Sequence, residues 1–263
     1  MFYSIGFCNT LKNKWNTKDI YKGGVIVEIY SCYKIYLNWK LKTENWKLKT
    51  DKWGECYLKV ILVNGSGHLK GCTYTALKEI AKELEKENIE TEIFQLGNKP
   101  IAGCIGCAVC RNTGECFRKD IVNEFLEKAK DADGFIYGTP VHYAAASGML
   151  TSFLDRVYYS GKAIFFNKPG AAIVSCRRGG ASAAFDQINK YFTINRMPIV
   201  SSQYWNSVHG NTPEEVMKDL EGMQTMRTLG RNMAWLLKCI EAGKKAGIEY
   251  PEVEPGIATN FIR

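Results

Sequence analysis

Four cysteines fall within thirteen residues, Cys104-Ile-Gly-Cys107-Ala-Val-Cys110-Arg-Asn-Thr-Gly-Glu-Cys116, a C-x2-C-x2-C-x5-C run. Four thiolates at this spacing surround one small volume, which suits a compact iron–sulfur cube better than a disulfide ladder. Gly106 and Gly114 allow the backbone to bend around such a core. Two other readings compete. A structural zinc site would more naturally show two C-x2-C pairs on separate knuckles, and the overlapping triplet differs from that. Alternatively, the loop carries ordinary packing thiols, because free cysteine behaves as a small hydrophobic side chain.

The chain has ten cysteines, and its first residues lack the basic-then-apolar pattern of a secretory leader. Close-spaced thiols without a leader point to a reducing compartment, so a cytoplasmic location is expected. Gly23 to Leu37 is the most apolar early stretch, but Glu28 and Lys34 interrupt it. It is too short and too polar to span a bilayer. Residues 1–57 hold ten Lys and five acidic residues, a surplus of +5 out of the chain's +8. The basic excess therefore says little about partners of the remaining residues, and no basic, aromatic-studded face suggests nucleic acid.

Residues 1–57 differ in style from the rest. Trp15, Trp39, Trp46 and Trp53 lie here, and Asn38-Trp-Lys-Leu-Lys-Thr-Glu44 is copied almost verbatim as Asn45-Trp-Lys-Leu-Lys-Thr-Asp51. Two copies build no core, so a poorly ordered extension is favoured over a basic amphipathic segment for a membrane surface. A third reading starts the protein at Leu58 from a TTG codon, with Trp53-Gly54-Glu55 covering a purine-rich ribosome site. The coding nucleotides decide it.

From Leu58 to Arg263 the pattern alternates strand and helix. Strands are predicted at Lys59–Val63, Glu90–Phe94, Gly134–Tyr137 and Ala171–Val174, with a fifth beginning at Pro198-Ile-Val200. Helices are predicted over Thr73–Glu87, Asp120–Lys130, Ser147–Tyr159 and Ser182–Phe192. A long final helix opens at the N-cap Thr212 with Pro213 at its first position, and Gly230 is a candidate break. Five such units imply an α/β fold, a doubly wound five-stranded parallel sheet with helices on both faces.

In such sheets ligands bind beyond the carboxyl ends of the strands, where the winding reverses. Three loops occupy that edge. In Asn64-Gly-Ser-Gly-His-Leu-Lys-Gly-Cys-Thr-Tyr-Thr75, glycines admit an anion to backbone N–H groups, and Ser66, Thr73 and Thr75 add hydroxyls ahead of a helix N-terminus. A Walker A pattern is absent because Lys70 precedes Gly71, and G-x-G-x-x-G fails because position 70 is lysine. In Thr139-Pro-Val-His-Tyr-Ala-Ala-Ala-Ser-Gly148, small residues beside one aromatic pair suit the edge and face of a flat isoalloxazine. The third loop, Ser175 to Gly180, adds Arg177, Arg178 and Gly179.

The arrangement Gly65-Ser66 to Gly71-x-Thr73, Gly138-Thr-Pro-Val141, and Ser147-Gly148 to Phe153-Leu-Asp-Arg156 resembles the NAD(P)H-dependent FMN reductase superfamily of flavodoxin-like folds. With the cysteine loop included, residues 58–263 more closely resemble its iron–sulfur flavoproteins. The resemblance implies FMN, with phosphate on Ser66, Gly71 and Thr73 and the ring against Thr139, Pro140, Val141, His142, Tyr143 and the Ser175 loop. Gly67, Cys72 and Thr151 stand where the family often has proline, asparagine and lysine. Asp155-Arg156 reads as an ion pair within one helix, and Cys72, Cys176 and Cys239 as small buried side chains.

The expected chemistry is electron transfer from NAD(P)H or a ferredoxin-like protein donor, through FMN, to a quinone, flavin or other small acceptor. A 4Fe–4S cluster on Cys104, Cys107, Cys110 and Cys116 would join one-electron carriers to the two-electron ring. Backbone N–H groups of the Thr139 and Ser175 loops, assisted by Arg177 or Arg178, would steady the reduced ring. His142 is a candidate proton donor to a reduced quinone; no side chain is required as an essential acid or base. The alternative is a non-catalytic FMN carrier or thiol redox sensor. The terminal helix and Tyr204-Trp205 suggest an oligomer interface, in a homodimer or homotetramer.

Overall fold

The structure, a computed structural model, describes residues 57–257 together with 259 and 261. The tryptophan-rich extension and its paired heptads lie, Tyr57 aside, outside the described residues.

The apolar run Val60 to Val63 forms the heart of strand β1 (Lys59–Asn64), buried on both faces as a central parallel strand must be. It pairs in parallel with β2 (Glu90–Gln95) on one side and β3 (Gly134–His142) on the other. Strand β5 (Gly170–Cys176) adds to β3, and β6 (Ser207–His209) to β5, again in parallel. The order is β2-β1-β3-β5-β6, and the short β4 (Ala145–Ala146) folds back antiparallel on the end of β3. The winding reverses between β1 and β3, which is where a doubly wound sheet leaves its ligand crevice.

Each face carries its own core. On one, α1 (Cys72–Lys86) and α7 (Leu220–Lys245) lay Leu77, Ile80, Leu84, Met226, Leu229 and Met233 over the strands. On the other, α3 (Ile121–Lys130), α4 (Gly148–Gly161) and α5 (Ala181–Ile194) cover a knot of aromatic rings. There Phe94 meets Phe125 edge to face at 5.2 Å, and Phe125 meets Phe153 at 5.1 Å. Fully buried side chains of this size contribute about 1.5–3 kcal/mol each.

Several expectations need correction. Pro198-Ile-Val200 does not begin a strand: Ile199 makes one isolated bridge to Gly170, and the fifth parallel strand is Ser207–His209. Strand β3 runs on through Gly138-Thr-Pro140 to His142. The segment that Thr212 caps ends after six residues as α6 (Pro213–Lys218), and Asp219, not Gly230, marks the break. Asp219 leaves helical geometry and caps α7 by accepting from the Gly222 N–H at 2.9 Å. Gly230 sits inside α7 where a Cβ would meet Glu83 Cβ at 2.9 Å; it lets α7 and α1 approach closely. Cys239 is exposed, because the inward stripe of α7 runs through Met226, Leu229, Met233 and Leu237 and position 239 lies off that phase.

Candidate functional site

The three loops predicted to form a pocket follow β1, β3 and β5, neighbouring strands at the reversal. Hydrogen bonds tie them together. Gly65 N–H donates to Gly138 O at 2.8 Å, and the Ser147 hydroxyl donates to Gly65 O at 2.8 Å. Ser147 N–H in turn donates to Thr139 Oγ1 at 2.9 Å, while Ser147 Oγ caps α4. Thr73 and Ser175 share a hydrogen bond of 2.8 Å, joining the first loop to the third. Gly180, at φ +88°, lies so close to the second loop that a Cβ would meet Ala144 Cα at 2.7 Å.

Of the expected phosphate contacts, Ser66 and Thr73 are buried and Gly71 is half-buried at the N-cap of α1. Ser66 Oγ accepts from His68 N–H at 3.1 Å, leaving its own O–H to donate. Glycine at the cap offers no side chain, so the first-turn N–H groups of α1 stay open toward an anion. Gly180 leaves the N-terminus of α5 uncapped in the same way. These are the observations on which FMN fits: backbone donors at two bare helix ends around a cradle of glycines.

Among the expected ring contacts, Thr139 is buried, Pro140 and Val141 half-buried, and His142 and Tyr143 exposed. Tyr143 and Ala144 both take positive φ, 49° and 59°, and Tyr143 stands fully into solvent at 106% exposure. Such backbone is uncommon outside glycine and aims the ring away from the sheet. Ser175 is buried at the end of β5, whereas Arg177, Arg178 and Gly179 are exposed beyond it. Burial pushes the thiols of Cys72 and Cys176 up, with nearby acidic side chains adding to it. Both are therefore protonated near neutrality and weak as nucleophiles.

The cysteine loop lies apart from these turns, against the far half of α4. Cys104, Cys107, Cys110 and Cys116 all line one open cavity of about 280 Å³, with Arg118, Arg156 and Tyr159. Cys104 and Cys107 are exposed, Cys110 and Cys116 half-buried. Among the described residues, no three His, Cys, Asp or Glu side chains are grouped to hold a single metal ion. The four cysteines share the lining of that one cavity. Arg118, one of the lining residues, has its Nε buried without a hydrogen-bond partner.

Arg156 is the residue that the sequence misassigned. Its partner is Asp120, not Asp155: Nη1 and Nη2 donate to the two Asp120 oxygens at 2.8 Å each. Asp155 instead accepts from the Tyr191 hydroxyl at 2.6 Å. Arg156 Nε and Nη2 also reach Cys116 Sγ, both at 3.3 Å. Burial opposes the guanidinium charge, but Asp120 and Cys116 outweigh it and hold Arg156 protonated. Asn123 grips the same cysteine by its backbone, accepting from Cys116 N–H at 3.1 Å and donating to its carbonyl at 2.9 Å. Helix α4 thus spans both sites, with Ser147 at the loops and Arg156 at the cavity. At 1.5 Å per residue they lie about 13 Å apart along the axis.

Residues 58–212 match the family described as NADPH-dependent FMN reductase. The chain belongs to that family. Its members are FMN-binding, flavodoxin-like oxidoreductases. An iron-sulfur flavoprotein of Methanocaldococcus jannaschii is 34% identical over 194 residues, 70% of this chain and 100% of that relative. One from Archaeoglobus fulgidus is 30% identical over 193 residues, 69% of this chain and 98% of the relative. An FMN-dependent NADPH-azoreductase of Staphylococcus aureus is 27% identical over 121 residues, 45% of this chain and 63% of that protein. In fold, the chain is similar to RosB, with a TM-score of 0.56 at 17% identity over 78% of this chain and 92% of RosB. Among the described residues, no helix is long and apolar enough to cross a membrane.

Proposed function

We propose that this member of the FMN reductase family moves electrons from NAD(P)H or a ferredoxin-like donor, through FMN, to a quinone, flavin or other small acceptor. The reading rests on one observation above the others: three hydrogen-bonded turns and a bare helix N-terminus meet at the reversal point of the sheet. When bound, FMN would supply hydride or single-electron transfer, and a 4Fe–4S cluster held by Cys104, Cys107, Cys110 and Cys116 would supply one-electron exchange. Ser66, Gly71 and Thr73 would hold the phosphate, and Thr139, Pro140, Val141, His142 and Tyr143, with Ser175, Arg177 and Gly179, would contact the ring. Exposed His142 is the candidate proton donor to a reduced acceptor.

Cys72 and Cys176 are poor candidates for a sensing thiol, since burial pushes both thiols up. The exposed pair Tyr204 and Trp205, with rings tilted at 52° and centroids 5.1 Å apart, supports a homodimer or homotetramer. Turnover tests the reading. Anaerobic protein given excess NADH or NADPH and a soluble quinone should consume nicotinamide over many cycles. A single stoichiometric oxidation would make it a carrier instead.

A further inference from the structure

We infer that Arg156 is a positioning residue for the iron–sulfur site, holding Cys116 as a ligand and raising the potential at which that site accepts an electron. The inference rests on the cluster reading above. Among the four cysteines, Cys116 alone receives side-chain N–H donors in the described residues: Nε and Nη2 of Arg156, each at 3.3 Å. Cys110 Sγ instead donates to Tyr159 O at 3.4 Å.

Arg156 is 2% exposed, so water screens its charge little. A buried arginine kept only for packing needs the Asp120 fork and nothing more. Here Asp120 and the Ala102 carbonyl fix the plane of the guanidinium, and that plane carries Nε toward the sulfur. Asn123 fixes the sulfur's own backbone from the other side. Both partners are therefore held in place before any cluster is built. Arg118 brings a second guanidinium to the same wall, with its Nε buried and unpartnered.

Reduction adds one electron, and so one negative charge, that spreads onto the ligand sulfurs. Hydrogen bonds to those sulfurs and a fixed cation favour the more negative state, so both raise the reduction potential. Asp120 pulls the other way, since its carboxylate offsets part of the Arg156 charge. Replacing Arg156 and replacing Asp120 should therefore shift the potential in opposite directions, whereas a merely structural pair would disturb it in one.

The test measures iron content, FMN content and EPR-monitored reduction at a series of fixed potentials for anaerobic wild type, Arg156→Gln and Asp120→Asn. Asparagine keeps an oxygen for the α3 cap, which accepts from Val122 N–H at 3.1 Å. Expected are full iron in both variants, because Asn123 still holds the Cys116 backbone, a cluster midpoint lowered in Arg156→Gln and raised in Asp120→Asn, and an unmoved FMN midpoint. If Arg156→Gln fails to fold, Asp120→Asn decides alone: a raised midpoint supports the assignment and an unmoved one overturns it. Full iron with an unmoved or equally lowered midpoint in both variants would also overturn it, leaving the cluster intact. Wild type without iron would instead remove the cluster reading itself.

Discussion

Thr73 and Ser175, 102 positions apart, share a buried hydrogen bond of 2.8 Å that crosses over strand β3. The crossing is possible because the residue beneath is Gly138, where a Cβ would lie 2.8 Å from Thr73 Cγ2. One missing side chain in the middle strand thus lets the first and third turns close on each other.

Removing that bond should loosen FMN. A hydrogen bond of this kind is worth about 1 kcal/mol net, and 1.4 kcal/mol is tenfold in affinity, so Ser175→Ala should weaken binding roughly fivefold. Gly138→Ala forces Thr73 aside, at about 1–3 kcal/mol for an overpacked core, and should weaken binding further. Quenching of flavin fluorescence on addition of apoprotein measures both. Unchanged affinity in Gly138→Ala would separate the crossing from the ligand.

The two classes of cysteine should behave differently. Cys116→Ala is expected to abolish bound iron and sulfide while FMN stays near the wild-type content. Cys239→Ala, on the exposed side of α7, should alter neither. Chemical assay of iron, sulfide and flavin on the three proteins gives the answer.

Gly230 provides a stability prediction of unusual sign. Alanine normally favours a helix interior over glycine by about 1 kcal/mol. Here the added Cβ would press on Glu83 Cβ at 2.9 Å and Ile80 O at 3.1 Å, and overpacking costs about 1–3 kcal/mol. Gly230→Ala should therefore lower the thermal midpoint, and a raised midpoint would show that α1 and α7 can part cheaply.

Acid should weaken the α1–α7 seam. Burial opposes the charge of Glu83, yet hydrogen bonds from Lys86 and Arg231 outweigh it and hold its carboxyl below the usual 4.5. Since the folded value is depressed, the contribution is complete above about 4.5 and disappears as pH falls through the folded value. Denaturant midpoints measured from pH 6 downward, in the range the carboxylates titrate, should drop for wild type and flatten in Glu83→Gln.

What was legible in the chain was what local chemistry encodes. Val60 to Val63 is a buried run of the kind a central strand uses, and Thr212 announces a helix start because its side chain caps its own backbone. Ser207–His209 was illegible: Val208 is its one buried residue, too little to show a period, while the more apolar Ile199-Val200 mimics a strand. Arg156 was misread because its true partner is 36 positions away, and adjacent residues on a helix do not face each other. A separation of 40 positions likewise hid its grip on Cys116. The loop motifs marked where the turns fall, but not that Thr73 reaches over Gly138 to bind Ser175.

FMN is proposed to sit where the turns after β1, β3 and β5 meet, and the visible spectrum and flavin count of protein purified without oxygen test that placement. A coloured protein that releases FMN in proportion to chain is expected. A colourless preparation that also fails to bind added FMN would contradict it.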